Sequence, residues 1–184
     1  MRLFIGIEFP PQVLTALADC QGKLRATTKR GRFKRQENFH LTLKFLGEVA
    51  DDRVGAFAGP LSEVAGTAQP FSLRLGRLGR FGSGSPVRVV WVDVAGDTEA
   101  LSELQARVAQ AAAGLGFAPE NRPWRPHITL AQDVEPAGES LALAEELIAP
   151  AAFRVSEFAL VLSEERDRRR IYTPIQRFVL GGCR

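Results

Sequence analysis

Apolar and polar positions alternate from Arg2 to Phe9, which predicts a β-strand. Pro10 and Pro11 then open a helical stretch to about Lys29, with Val13, Leu14, Leu17, Cys20 and Leu24 near helical spacing. Phe33 to Arg35 reads as a short strand and His40 to Leu46 as a firmer one. Asp51 and Asp52 signal a helix that runs to about Ala65, kinked or split by Pro60. Strands follow at Phe71 to Leu78 and Val87 to Val94, joined by a flexible connection that carries Gly79, Gly82 and Gly84. Asp97 is placed as the cap of a helix ending near Leu115. His127 to Ala131 has a strand pattern and Ser140 to Ile148 a helical one. Phe153 to Leu162 and Ile171 to Leu180 read as a terminal hairpin, with the charged run Glu164 to Arg170 at its exposed tip.

One segment has an echo. ENFHLTLKFLGEV (Glu37 to Val49) resembles RPHITLAQDV (Arg125 to Val134): His, apolar, Thr, apolar, then a polar turn. Two similar strand-plus-helix units suggest two lobes related by rough two-fold symmetry. Long alternating strands and the terminal hairpin favour antiparallel sheets with helices on their outer faces over a doubly wound parallel sheet. The expectation is an α+β fold: one bilobal domain over residues 1–184, with two antiparallel sheets flanking a central cleft.

Composition narrows the field without naming a function. The 184 residues are 45% hydrophobic and 24% charged, which excludes disordered and fibrous classes. No apolar run approaches the roughly 20 residues that span a bilayer. The apolar start is too short for a secretory signal and carries Glu8, so a cytoplasmic protein with no membrane partner is expected, and a monomer. Two cysteines, Cys20 and Cys183, exclude a disulfide scaffold and a four-cysteine zinc site, and are expected as free thiols. The formal charge is +3, and arginines far outnumber the four lysines, Lys23, Lys29, Lys34 and Lys44. Arginine forks suit phosphate groups; an arginine-preferring genome accounts for the bias equally well.

The chain has two histidines, His40 and His127, and both have threonine at +2, although only eight threonines occur in 184 positions. Chance would place both so with probability of about 0.002, the kind of count that tests a pattern. In a strand, alternate side chains share a face. His40 and Thr42 then face a cleft while Leu41 and Leu43 are buried, and His127 and Thr129 do the same over Ile128 and Leu130. Two imidazoles and two hydroxyls in one cleft suit phosphodiester hydrolysis. One imidazole takes a proton from water, the other gives one to the leaving oxygen, and the hydroxyls donate to non-bridging phosphate oxygens.

HLTL at His40 and HITL at His127 resemble the paired signature of the two-histidine (2H) phosphoesterases. RLFIGIEFP, ENFHLTLKFLGEV, Pro70–Phe71, VVWVDV and RPWRPHITLA are similar to the RNA 2′,3′-cyclic phosphodiesterase branch, once named 2′-5′ RNA ligases. The resemblance runs from Arg2 to about Leu180. It implies a bilobal α+β fold and no metal or nucleotide cofactor. It implies that RNA with 2′,3′-cyclic phosphate ends is opened to 2′-phosphomonoesters, with His40 as general acid and His127 as general base. It also implies 2′-5′ joining of RNA ends, similar chemistry run backwards. The family's second motif continues H-x-T-L-A-R, and its arginine helps hold the phosphate. Gln132 stands there in this chain as a candidate phosphate contact; strict alternation turns it away from the cleft, so only a bend or strand end lets it reach in. Arg125, two before His127, and Lys44, on the His40 face by alternation, are the candidate substitutes.

The remaining features are weaker. GRLGRFGSGSP lacks the Gly-Lys-Ser/Thr of a P-loop. KRGRFKR (Lys29 to Arg35) guides an RNA backbone or is a solvated loop. Phe4, Phe45, Trp91 and Trp124 are assigned to the core, with stacking on a base as a second role for Trp124. Two alternatives stay open. One is a cyclic phosphodiesterase acting on a small nucleotide or an ADP-ribose cyclic phosphate; the other is a non-catalytic RNA-binding module.

Overall fold

The computed structural model describes residues 1–82, 84–120, 122–138 and 151–181. Two antiparallel sheets carry the architecture. The first has strand order β3-β1-β8-β9, built from β1 (Arg2–Ile7), β3 (Leu41–Glu48), β8 (Glu157–Arg166) and β9 (Arg169–Val179). The second has order β2-β6-β5-β4-β7, from β2 (Thr28–Phe33), β4 (Phe71–Phe81), β5 (Val87–Gly96), β6 (Ile128–Pro136) and β7 (Ala152–Val155).

Helix α1 (Pro11–Ala26) begins with Pro11 in its first turn, where a missing N–H costs nothing. Its buried stripe, Val13, Ala16, Leu17, Cys20 and Leu24, has helical spacing and packs against β2 and β6. Burial pushes the Cys20 thiol up to about 11, so it stays protonated as a small apolar group. Helices α2 (Ala58–Thr67) and α3 (Thr98–Gly114) cover the other sheet, α3 against β3 and α2 against β9. One hydrophobic core draws on both sheets and all three helices. No helix among the described residues is long and apolar enough to cross a membrane.

Several expectations need correction. The basic run Lys29 to Arg35 is not a loop followed by a short strand: residues 28–33 form β2, the edge of the second sheet. Pairing with β6 decides this, and it overrides the weak local pattern. The Asp51–Ala65 helix is a 3-10 turn over Asp51–Phe57 that passes into α2, with Pro60 in the first α-helical turn. Asp97 does precede α3, but its carboxylate accepts from the Ser72 N–H at 2.9 Å rather than from the helix. Strands β4 and β5 are longer than expected, and Gly79 lies inside β4. A Cβ at Gly79 would overlap the Trp91 indole on β5, so glycine here serves ring packing rather than loop flexibility. The expected terminal strand Phe153 to Leu162 is two strands: β7 pairs with β4, and after Ser156 the chain crosses to pair β8 with β1 and β9. Its hairpin turns at Asp167 and Arg168, both at positive φ as a two-residue turn requires. The expected helix Ser140 to Ile148 and Cys183 lie outside the described residues.

Candidate active site

The two motifs sit on different sheets. His40 immediately precedes β3 and His127 immediately precedes β6. Their local geometry is the same. Nδ1 of His40 lies 2.8 Å from the Asn38 carbonyl oxygen, and Nδ1 of His127 lies 2.8 Å from that of Arg125. A carbonyl only accepts, so each Nδ1 carries the proton and each neutral ring keeps its lone pair on Nε2.

Each imidazole also rests on two aromatic rings from other strands of the same sheet. His40 lies 4.6 Å from Phe4 of β1 and 5.0 Å, edge-on, from Tyr172 of β9. His127 lies 5.2 Å, edge-on, from Phe81 of β4 and 6.4 Å from Trp91 of β5. Gly6, opposite Thr42, keeps β1 close to β3: a Cβ there would stand 2.9 Å from the Leu41 carbonyl oxygen.

The apolar partners of the motifs, Leu41, Leu43, Ile128 and Leu130, are fully buried, while Thr42 and Thr129 are half-exposed. Beyond the threonines strict alternation breaks, and at the same place in both motifs. Thr42 pairs with Gly6 and Lys44 with Ile5, so Leu43 is an extra residue. Thr129 pairs with Trp91 and Ala131 with Val90, so Leu130 is an extra residue. A bulge of this kind re-aims the side chains after it. Lys44 and Ala131 are buried, and Phe45 and Gln132, five residues after the histidines, line a common cavity of about 660 Å³ between the sheets.

Two corrections follow. Lys44 does not share the cleft face with His40. It is 3% exposed, its Nζ donates to the Ala118 carbonyl oxygen at 2.7 Å, and Glu120 lies 4.0 Å away. Phe45 is not core: it is 57% exposed and lines the cavity. Gln132, which only a bend could bring in, lines the cavity, and the bulge supplies that bend. Arg125 lies with its guanidinium 4.4 Å over the Trp91 ring, beside His127. Trp124 is half-buried and donates its Nε1 proton to the Thr42 carbonyl oxygen at 3.1 Å.

The cavity brings in residues that the motifs did not reveal. Phe4 and Tyr172 line both it and a small pocket beside His40. Lys34, Asn38 and Arg170 join them. Asn38 is buried and donates to the Arg170 carbonyl oxygen at 2.8 Å, which ties the turn before His40 to β9. Tyr172 is the chain's one tyrosine, a signal that sequence reasoning passed over.

Burial is the main cause that pushes His40 down from 6.5 to about 4. Its hydrogen bond to Asn38 opposes this, and the positive charges of Lys34 and His127 add to it. Among the described residues no group of three or more His, Cys, Asp or Glu side chains is placed to hold a metal ion.

The chain is similar to known proteins over most of its length. The family model described as the 2′-5′ RNA ligase superfamily matches residues 9–167. An RNA 2′,3′-cyclic phosphodiesterase of Geobacillus stearothermophilus is 32% identical over 98% of the chain, which spans 57% of that relative's length. One from Escherichia coli is 35% identical over 97% of the chain and 96% of its own length. A crystal structure of a Thermus thermophilus protein superposes with a TM-score of 0.82 at 27% identity, covering 99% of both chains.

Proposed function

Because the chain belongs to the 2′-5′ RNA ligase superfamily, we propose that it hydrolyses the 2′,3′-cyclic phosphate ends of RNA to 2′-phosphomonoesters, with His40 and His127 exchanging the protons. The observation that carries this reading is the matched pair of imidazoles, each held through Nδ1 by a carbonyl two residues upstream, leaving Nε2 for chemistry. Water attacks phosphorus and gives its proton to His127 Nε2. The bond from phosphorus to the 3′ oxygen breaks, and that oxygen takes a proton from His40 Nε2. Thr42 and Thr129 donate to the non-bridging oxygens. Arg125 and Gln132 contact the phosphate or its nucleoside; Lys44, buried and bonded elsewhere, does not.

The low pKa of His40 constrains its acid role. At neutral pH the empty site holds His40 neutral, so it must gain a proton when substrate binds. A phosphodiester carries one negative charge. At about 4 Å and an effective dielectric of about 20 it contributes about 4 kcal/mol, about three pKa units. That brings His40 from about 4 into the neutral range. Attack by the 5′-hydroxyl of a second RNA in place of water would give a 2′-5′ linkage at the same site.

The test is turnover of a cyclic-phosphate-ended oligonucleotide and of a cyclic mononucleotide, both in EDTA. We expect a 2′-phosphate product without added metal, with the oligonucleotide preferred. Preference for the mononucleotide would move the substrate to a small cyclic nucleotide. No turnover of either would leave a binding module.

A further inference from the structure

Among the described residues Lys34 is a cation without a carboxylate. Three other basic residues of the cavity are neutralised: Arg32 by Asp133 at 2.5 Å, Arg170 by Glu165 at 3.3 Å, and Arg35 by Glu37. Arg2, Arg168 and Arg169 stand exposed at the rim, whereas Lys34 is half-buried. Among the described residues its Nζ has one hydrogen-bond partner, the Tyr172 hydroxyl at 3.5 Å, and it lies 5.8 Å from the centre of that ring.

The backbone fixes Lys34 where it stands. Its N–H donates to the Leu130 carbonyl oxygen at 2.8 Å, just past Thr129. The Gln21 amide clasps the carbonyl oxygens of Lys34 and Leu130 together, at 2.7 and 2.8 Å. Two residues earlier, Arg32 pairs with Gln132, and Arg32, Lys34 and Gln132 all line the cavity.

This placement is unfavourable in the empty site. The ammonium charge works against the protonation of His40, and no described carboxylate offsets it. Polar and charged groups left without partners mark functional positions more than structural ones. An anion between Lys34 and His40 resolves both conflicts. Tyr172 neighbours both groups, its hydroxyl 3.5 Å from Lys34 Nζ and its ring 5.0 Å from the His40 ring. A tetrahedral phosphate beside Tyr172 offers separate oxygens to the two groups, each for a charge-assisted contact of about 2.8 Å.

We propose that Lys34 anchors the substrate phosphate in this cleft, supplying from the end of β2 the positive charge that Gln132 on β6 does not carry. The proposal rests on the cyclic-phosphate reading for the identity of the phosphate, though not for the existence of an anion site. The lysine faces the non-bridging oxygens, His40 the 3′ oxygen and His127 the attacking water, so the three cover different sides of phosphorus.

The experiment compares wild type with Lys34→Met and Lys34→Arg, using a cyclic-phosphate oligonucleotide as substrate and inorganic phosphate as competing anion. Lys34→Met should raise both KM and the phosphate inhibition constant about tenfold or more, with a smaller change in kcat, and Lys34→Arg should restore most of the loss. In an NMR titration of the free protein, Lys34→Met should move the His40 midpoint upward, because a repelling charge has gone; loss of a merely structural contact would not. An unchanged KM and phosphate constant in Lys34→Met, beside active wild type, overturns the proposal. If wild type shows no turnover yet binds phosphate more tightly than Lys34→Met, the anion site stands and the hydrolase reading falls. Absent turnover with equal phosphate binding in both overturns both.

Discussion

The Trp124 indole donates to the Thr42 carbonyl oxygen at 3.1 Å, and that bond joins the segment leading into His127 to the strand that begins after His40. The motifs lie on different sheets, so their relative placement depends on such crossings. Trp124→Phe keeps the ring and removes the donor. One net hydrogen bond is worth about 1 kcal/mol, so Tm should fall by about 2–4 °C in a chain of this size. Activity should fall more than that loss implies, in kcat rather than KM, because proton transfer requires both imidazoles on one phosphate. A kcat equal to wild type would show that the bond does not position the site.

Much of this site was legible before the fold was known, for an identifiable reason. His40, Thr42, His127 and Thr129 lie within four-residue patterns, and strand alternation carries such short spacing correctly. Alternation failed beyond that, because both strands bulge at the leucine three residues after the histidine. A bulge depends on pairing with another strand, so Lys44 was placed in the cleft and Phe45 in the core, and Gln132 was left to reach the cleft only through a bend. Lys34 and Tyr172 were missed because they reach His40 only through tertiary placement: one follows β2 and the other lies on β9. The same limit hid β2 within a basic run and merged β7 with β8, since sheet membership is decided by distant partners.

Both histidines should be required. His40→Ala and His127→Ala should each lower turnover by about 10²-fold or more, the scale of one acid–base role. The roles separate with a substrate whose 3′ leaving group needs less protonation. It should rescue His40→Ala more than His127→Ala. The reverse pattern would exchange the acid and the base.

The His40 shift also predicts how stability depends on pH. Its folded pKa, about 4, lies below the ordinary 6.5. Between those values the unfolded chain binds a proton at His40 and the folded chain does not. This contribution is therefore present above about pH 6.5, is lost as pH falls towards 4, and changes no further below that. The lowered pKa corresponds to about 3 kcal/mol. Denaturant unfolding at pH 7 and pH 4.5 should show a larger loss in wild type than in His40→Asn, which lacks the titrating group. Parallel losses would mean that burial does not hold the ring neutral.

Gln132 tests the bulge itself. The extra residue at Leu130 turns position 132 into the cavity, beside Arg32 and across from Phe45. An arginine there would offer two charged N–H donors where glutamine offers a neutral amide. A charge-assisted hydrogen bond contributes about 1.5–3 kcal/mol. Competition from Asp133, already paired with Arg32, and partial exposure place the gain at the lower end. Gln132→Arg should therefore lower KM about tenfold, with kcat little changed. The gain should be larger in a Lys34→Met background, because the two cations would serve one phosphate and their effects would not add. Equal gains in both backgrounds would place position 132 at a different part of the substrate, and an unchanged KM in both would mean that the side chain never reaches it.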